Sequence, residues 1–421
     1  MNAEETMKMN RTLAIRLLAV VLLALFWTAG ARAQSGPPSS VAFHSNRDGN
    51  NNIYVMNPDG SGQVRLTSDP GNDQRADISP DGSRIAFASN RSSGVVTSHF
   101  EIFVMNADGS DVRQLTDTPT SFTNTWPRWS PNGEWIAFQS TVSGTSQVHA
   151  IRPDGTELSQ VTSTGVNQFP AWSPDGTRLA VRRDADIYVI DVAGGSDSVR
   201  LTSVGPINQM PSWSPDGTRI AFMSTREPGN YPSVFLMNAD GTGQTNLTPK
   251  LDMGTGTWTS RAPAWSPNGE YIYFTGLRPG VAGEQIYVMR ADGSEQTRLV
   301  AAGVNAEASV RHVRPPAITT VTATPNVLWP PNNQMLPVSV EVGVLDASDA
   351  APTCRITGVT SNESIAGTGW QVIGPLTVDL LAQRFGWGEG RIYTMTVVCT
   401  NSSELSSTVT VGVSVPQDRR K

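Results

Sequence analysis

The chain has 421 residues, with 31 Lys and Arg against 37 Asp and Glu, and it contains 38 Gly and 29 Pro. With 38% hydrophobic and 16% charged residues, this composition excludes a disordered or collagen-like chain and favours an all-β protein of short strands and tight turns. The formal charge of -6 leaves no basic surplus to neutralise phosphates, which argues against nucleic acid or an anionic membrane as a partner.

The first segment, residues 1–33, has the pattern of a signal peptide. Basic residues precede an apolar run at residues 17–27, and Ala31-Arg32-Ala33 supplies a small-x-small cleavage site. A membrane anchor is the alternative, but the run is shorter than the roughly 20 residues that a spanning helix needs. We therefore expect an exported protein, periplasmic or extracellular, with a linker at residues 34–40 and no transmembrane segment in the mature chain.

A repeat occupies most of the chain after this linker. Its first element, Trp-Ser-Pro-Asp/Asn-Gly, starts at Trp129, Trp172, Trp213 and Trp265, with a copy that lacks Trp at Ile78. Its second element, of the type Ile-Tyr-Val-Met-Asn-x-Asp-Gly, starts at Ile53, Ile102, Val148, Ile187, Val234 and Ile286. Each unit contains four short runs separated by Asp-Gly turns, which predicts four antiparallel strands in a period of about 45 residues, as in β-propeller blades.

These elements resemble the repeat of the TolB-type six-bladed propellers, which are WD40-like in fold. The resemblance covers residues 41–314 and implies six blades. Residues 41–67 would supply the last three strands of one blade, and residues 305–310 align with the first strands of the others. The end of the repeat should therefore complete the first blade and close the ring, which removes exposed sheet edges. Because this propeller type is reused in several roles, the resemblance implies a fold rather than a function.

The tail, residues 315–421, lacks the repeat. Alternating runs predict a small immunoglobulin-like β-sandwich, with strands at residues 338–344, 355–360, 378–381, 391–399 and 407–415. The phrase Leu328-Trp329-Pro330-Pro331-Asn332 resembles a HYR-type module of bacterial secreted proteins, which implies a spacer or adhesion role. The two cysteines, Cys354 and Cys399, are expected to form one structural disulfide in an exported protein, with a catalytic thiol as the lesser alternative.

The two faces of the predicted propeller should differ. If the Trp-Ser strand is innermost, the Asp-Gly turns lie on one face, and the loops after the second strand and between blades lie on the other. The turns are nearly identical in every copy, whereas the loops vary in length and content. Variable loops on a rigid scaffold are where binding usually occurs, so we expect the ligand at the channel mouth on this second face.

Three consecutive positions of each inner strand are candidates for that mouth. The first, five residues before the Trp position, is Asp73, Asn124, Asn167, Asn208, Ser260 and Asn305. The second is Gln74, Thr125, Gln168, Gln209, Arg261 and Ala306, and the third is Arg75, Trp126, Phe169, Met210, Ala262 and Glu307. All except Arg75, Thr125, Ala262 and Ala306 are candidate binding residues. Amides beside aromatic and Met side chains suit a protein or peptide segment, or a glycan; the alternative is that the Asn residues only bond the entering backbone.

Signals for catalysis are sparse. The four histidines, His44, His99, His149 and His312, have no Ser, Cys or metal partner at a recognisable spacing, so we predict no catalytic residue, metal or cofactor. The repeated Trp residues are interpreted as packing between blades. The sequence thus favours a non-catalytic binding or scaffold protein. The alternative is a propeller enzyme acting on polysaccharide, a lyase or hydrolase assisted by a metal, which would use His44 or His99 near the variable face.

Overall fold

The computed structural model describes residues 40–92, 95–193, 198–249, 258–300, 303–310, 316–346, 351–363, 369–383, 390–401 and 406–416. The predicted signal peptide, residues 34–39 of the predicted linker and His312 lie outside these ranges. Every regular element within them is a β-strand, as the composition and the turn spacing predict. None of the described residues belongs to a helix long and apolar enough to cross a membrane.

The described residues of the repeat region form 24 short strands. The first twelve are β1 (Val41–Ser45), β2 (Asn52–Met56), β3 (Val64–Arg65), β4 (Asp73–Ile78), β5 (Arg84–Ser92), β6 (Val95–Asn106), β7 (Arg113–Gln114), β8 (Asn124–Trp129), β9 (Ile136–Ser140), β10 (Gln147–Ile151), β11 (Ser159–Gln160) and β12 (Asn167–Trp172). The next twelve are β13 (Arg178–Arg183), β14 (Asp186–Asp191), β15 (Ser198–Arg200), β16 (Asn208–Trp213), β17 (Arg219–Ser224), β18 (Ser233–Asn238), β19 (Thr245–Asn246), β20 (Thr259–Trp265), β21 (Tyr271–Leu277), β22 (Gln285–Arg290), β23 (Thr297–Arg298) and β24 (Asn305–Val310).

These strands form six antiparallel sheets of four strands each. Five sheets use four consecutive strands, from β4–β7 to β20–β23. The remaining sheet has the order β24-β1-β2-β3, so it joins the end of the repeat region to its beginning. In its register Val41 lies opposite Val310, and Ser45 lies opposite Asn305.

The first strands of the sheets lie side by side. β24, β4, β8, β12, β16 and β20 contact one another in that order, and β20 in turn contacts β24. The Trp that ends most of these strands packs against the preceding sheet; Trp213, for example, shares a buried cluster with Ile187 and Phe222. The indole N–H of Trp265 donates to the Ser212 carbonyl at 3.2 Å. The repeated Trp residues therefore lie between sheets.

The Ser-Pro-Asp/Asn-Gly element closes the hairpin between the first and second strands of a sheet. In residues 79–82, the Gly82 N–H donates to the Ser79 carbonyl at 2.8 Å. Gly82 has a φ of 72°, a conformation that disfavours side chains. The Asp81 carboxylate accepts the Ser83 N–H at 3.0 Å, which is the local bond that makes Asp common in turns.

The tail contains two sheets. The strands are β25 (Ala317–Thr324), β26 (Met335–Leu345), β27 (Thr353–Ser361), β28 (Trp370–Gly374), β29 (Thr377–Leu381), β30 (Arg391–Thr400) and β31 (Ser406–Val415). One sheet has the order β25-β26-β29-β28 and the other β27-β30-β31, and side chains from both, including Val338 and Tyr393, share one buried core. Cys354 lies opposite Cys399 in the β27–β30 register and forms a disulfide with it.

Candidate binding site

A cavity of about 580 Å³ lies at the ends of the first strands, on the side away from the Asp-Gly turns. It is lined by His44, Gln74, Arg75, Phe100, Thr123, Thr125, Trp126, Gln139, Phe169, Met210, Arg261 and Glu307. Six of these were candidate binding residues in the sequence: Gln74, Trp126, Phe169, Met210, Arg261 and Glu307. The cavity therefore brings together residues that are up to 263 positions apart in the chain, from His44 to Glu307.

The third position of each first strand has an unusual backbone. We call its six residues the mouth ring; all have a positive φ, between 50° and 58°: Arg75, Trp126, Phe169, Met210, Ala262 and Glu307. The strand register shifts at the same place in every sheet, as in β-bulges. A positive φ is uncommon outside glycine, and a bulge turns a side chain away from the regular alternation. The repeat therefore builds one distorted position into each sheet.

One side of the cavity is apolar. Trp126 and Phe169 meet edge to face, with ring centroids 4.7 Å apart. Met210 and Ala262 pack against this pair to form a single cluster. Four neighbouring sheets thus each contribute one mouth-ring residue to a continuous apolar wall.

The opposite side of the cavity is charged. Glu307 is only 8% exposed, and its Oε1 accepts from Arg261 Nη1 at 3.2 Å. Arg261 also donates to the Glu284 carboxylate, at 2.8 Å from Nε and 2.5 Å from Nη2. Glu307 Oε2 lies 3.7 Å from Arg75 Nε and 3.8 Å from His44 Nδ1, beyond hydrogen-bond distance. We call His44, Arg75, Arg261 and Glu307 the charged wall.

Burial and neighbouring charges together determine the protonation states of the charged wall. Burial lowers the pKa of His44, an effect that Glu307 only partly offsets, so this imidazole is neutral near pH 7. Burial opposes ionisation of Glu307, but the charges of His44, Arg75 and Arg261 outweigh it and lower the pKa of the carboxyl. Because His44 is neutral, the two arginines provide this stabilisation. Burial also works against charged Arg261, yet its bonds to Glu284 and the charge of Glu307 raise its pKa.

The first candidate position of each sheet's first strand is buried, whereas the sequence predicted that it would lie at the channel mouth. Its residues, which we call the polar layer, are no more than 1% exposed: Asp73, Asn124, Asn167, Asn208, Ser260 and Asn305. None of them lines the cavity. The structure therefore corrects the expectation that they form a ring open to the channel mouth. They lie beneath the lining because their polar groups are used within the scaffold.

Hydrogen bonds of the polar layer join neighbouring sheets. Asn208 Nδ2 donates to Asp186 Oδ1 of the preceding sheet at 3.0 Å, and Asn167 and Asn305 bond Gln147 and Gln285 in the same way, at 3.0 and 2.9 Å. The same acceptors take the hydroxyl of the Leu-Thr element, as Thr202 shows at 2.8 Å from Asp186. The polar layer therefore bridges neighbouring sheets through buried hydrogen bonds. This role is closer to the alternative interpretation, in which the Asn residues only make local hydrogen bonds, than to ligand binding.

An arginine near the end of the second strand completes this network in five sheets. Each donates to the polar-layer residue of its own sheet: Arg47 to Asn305, Arg91 to Asp73, Arg183 to Asn167, Arg226 to Asn208 and Arg278 to Ser260. Each guanidinium also lies over an aromatic ring of the second or third strand, as Arg226 does over Phe235 at 4.6 Å. These arginines were not recognised in the sequence, although three of the five, Arg47, Arg91 and Arg226, lie near the end of the second strand in a visible Ser-x-Arg pattern.

The remaining candidates lie beside the cavity. Gln168 and Gln209 are half-buried outside its lining, and Gln209 Oε1 accepts from Arg182 Nη1 at 2.8 Å. Sequence reasoning did not select His44, Arg75 or Gln139 as binding residues. Arg75 could have been found, because it occupies the aligned third position; His44 and Gln139 come from second strands, where no alignment to the mouth had been made. Among the described residues, no three His, Cys, Asp or Glu side chains form a metal-binding group.

Comparisons with known proteins agree with this architecture. Residues 161–261 match the family described as the TolB beta propeller domain. A protein TolB homolog from Chlorobium luteolum is 34% identical over 126 residues, which are 30% of this chain and 27% of that protein. Dipeptidyl-peptidase 5 of Porphyromonas endodontalis is 39% identical over 62 residues, which are 15% of this chain and 9% of the peptidase. The chain thus spans far less than two thirds of these relatives.

A solved structure gives the same result for the fold. TolB from Acinetobacter baumannii superposes with a TM-score of 0.55 at 20% identity, over 65% of this chain and 67% of that one. At this identity the likeness concerns the fold alone. The six four-stranded sheets, together with these matches, identify the chain as a β-propeller protein. The repeats in residues 161–261 match the TolB-like type that the sequence motifs indicated.

Proposed function

We propose that this chain is an exported, non-catalytic binding protein whose propeller recognises a protein or peptide segment at the cavity described above. In this proposal the six sheets are blades of one ring closed by β24, and the tail is an immunoglobulin-like spacer. The cyclic contacts of the first strands and the β24–β1 pairing support the ring. The shared core of the two tail sheets supports the sandwich.

The observation that carries the proposal is the contrast within each first strand. The polar layer is nearly uniform and buried, whereas the mouth ring, two residues further on, differs in every sheet. Packing between sheets cannot account for this variety, because the six positions are equivalent in backbone conformation. Differing side chains on a uniform scaffold are what a binding site requires.

The lining favours a peptide. Its apolar wall offers aromatic and Met contact area, and its charged wall and the amides Gln74 and Gln139 offer directional partners. Cavities of this volume are typical of sites that hold a small ligand or a short chain segment, and this one combines an apolar wall with a charged wall. Enrichment in aromatic residues, Met and Arg is also typical of protein interfaces.

A displayed library of random twelve-residue peptides, panned on residues 34–421, tests the proposal. We expect peptides to be enriched on the native protein and lost on Phe169→Ala, which removes half of the aromatic pair. Tyr271→Ala is the matched control, because Tyr271 is a half-buried aromatic residue at the turn end of its sheet. Failure to enrich any peptide, or binding that survives Phe169→Ala, contradicts the proposal.

A polysaccharide-cleaving enzyme is the second candidate. The observation that favours it is the meeting of neutral His44 with Glu307, Arg75 and Arg261 in one cavity, which resembles a set of acid, base and charge-stabilising groups. Incubation with a panel of neutral and acidic polysaccharides, followed by reducing-end and unsaturated-product assays, tests this role. Activity that disappears in His44→Gln would establish the enzyme and displace the binding proposal.

A further inference from the structure

The charged wall has an unequal distribution of hydrogen bonds. Arg261 uses Nε and both terminal nitrogens on Glu284 and Glu307. Arg75 has no hydrogen bond within the described part of the chain, and its buried Nε has only the 3.7 Å contact with Glu307. A guanidinium carries five N–H donors and no acceptor. Among the described residues, Arg75 is therefore a cation of the cavity lining whose donors are not engaged by the protein.

The position of Arg75 is nevertheless well defined. Its guanidinium lies over the ring of Trp126, with 4.9 Å between its central carbon and the ring centroid. Trp126 in turn holds Phe169, so the cation and the apolar wall are joined through one indole. A planar guanidinium stacked on an aromatic ring keeps its edge free for a planar acceptor. That edge is the side on which a carboxylate binds through two parallel hydrogen bonds.

The acceptors of the cavity do not offer an equal site for a cation. Glu307 Oε1 is occupied by Arg261, and Oε2 lies between Arg75 and neutral His44. An incoming ammonium would have to approach Glu307 beside two guanidinium groups, and like charges at such distances repel. Burial lowers the pKa of Arg75, so an anionic partner would offset part of the solvation that this cation loses in the fold.

We propose that the cavity recognises a peptide carboxylate, bound by Arg75, with the neighbouring apolar side chain of the ligand packed on Phe169 and Met210. This inference rests on the proposed function and specifies its ligand. The carboxylate can come from the C-terminus of a chain or from an Asp or Glu side chain. Both sources present the same group to Arg75, and the experiment separates them.

Four acetylated tetrapeptides serve as probes for residues 34–421. They are Gly-Gly-Phe-Leu as the free acid, the same sequence as the amide, Gly-Gly-Phe-Glu as the amide and Gly-Gly-Phe-Lys as the amide. Affinities are measured by ligand-observed NMR and calorimetry. We expect the free acid to bind about tenfold or more tightly than its amide, because a charge-assisted hydrogen-bonded pair is lost in the amide. Tighter binding of the Glu peptide than of the Leu amide would identify a side-chain source.

Two variants of the charged wall carry opposite expectations. Arg75→Gln should remove the preference for the free acid, whereas Glu307→Gln should strengthen it, because the competing negative charge is gone. Arg113→Gln is the matched control, since Arg113 is an exposed arginine on an outer strand and should change nothing. Circular dichroism melts of every variant establish that the protein is folded, and Arg75→Lys, which keeps the charge, should retain part of the preference.

Three results would overturn the inference. They are affinities of the free acid and of the Glu peptide that both fail to exceed that of the Leu amide, preference for the Lys peptide, and a carboxylate preference that persists in folded Arg75→Gln. In each case peptides still bind, so the proposed function survives. Absence of binding by all four probes overturns the carboxylate inference, and the twelve-residue library then decides the proposed function separately.

Discussion

The polar layer and the mouth ring lie two residues apart on the same strands, yet their side chains differ in uniformity, burial and contacts. The polar layer repeats Asn or a close substitute, is buried and bridges neighbouring sheets. The mouth ring has a different residue in each sheet and borders the cavity or its apolar wall. Positions that are alike in the repeats hold the scaffold together. Positions that differ between the repeats are those at which the proposed ligand would bind.

The largest expected effect comes from removing both layers from one sheet at once. Truncation before Asn305 deletes β24, and with it one member of the polar layer and one of the mouth ring. We expect a large drop in melting temperature or loss of a cooperative transition, because β1 loses β24, one of its two partner strands, and becomes an exposed edge. Truncation after Pro315 should leave a cooperative transition. Equal melting of the two chains would contradict the proposed closure of the ring by β24.

Two single substitutions on one strand distinguish the polar layer from the mouth ring. Asn208→Ala removes a buried side chain that bonds both Asp186 and Arg226, so we expect a loss of about 2–4 kcal/mol in the free energy of unfolding. Met210→Ala, two residues away, should cost less than Asn208→Ala, because Met210 faces the cavity on one side and has fewer atoms packed against it, and it should abolish capture of library peptides. Denaturant unfolding and peptide binding measure the two outcomes. Similar stability losses in both variants would break the distinction between scaffold and site.

The pH dependence of stability probes the charged wall. Burial lowers the pKa of His44 in the folded chain below its ordinary value of 6.5, with Glu307 and Glu284 opposing the shift and Arg75 and Arg261 adding to it. Below pH 6.5 the unfolded chain therefore binds more protons than the folded chain. The contribution of His44 to the free energy of unfolding is highest above pH 6.5 and falls as the pH is lowered further, by at most about 1.4 kcal/mol per pH unit for one group. His149, whose pKa is also lowered by burial, adds to this loss. Denaturant titrations from pH 7.5 to 5.5 should show a smaller loss in His44→Gln.

The smallest expected effect is a gain in the sheet β8–β11, where no arginine completes the polar layer. Val142 follows Ser140 there as Arg226 follows Ser224, with the same N–H to Oγ bond at 3.2 and 3.3 Å. Asn124 Oδ1 is buried without a hydrogen bond in the part of the chain that the structure describes. Val142→Arg should stabilise the protein by about 0.5–1.5 kcal/mol. Val112→Arg is the matched control, since both valines are 39% exposed.

Much of this scaffold could be predicted from sequence because each local signal occurs in most of the repeats. The Trp-Ser-Pro-Asp-Gly turns and Ile-Tyr-Val-Met runs specify hairpins by short-range bonding, and the aligned third position contains the mouth ring. The depth of the polar layer could not be predicted, because it depends on arginines and carboxylates brought from other strands. In the tail, β25 and β28 were not predicted; both are edge strands with largely exposed side chains, so their apolar alternation is weak.

The positive φ of the mouth ring restricts which amino acids can diversify it. A left-handed backbone is most costly for side chains branched at Cβ, so Val, Ile and Thr are poor choices there. The six residues present, Arg75, Trp126, Phe169, Met210, Ala262 and Glu307, include no branched one. Redesign of this surface for a new ligand should therefore draw on unbranched, aromatic and charged residues with Asn and Gly. This set retains most recognition chemistry and omits only the β-branched strand formers.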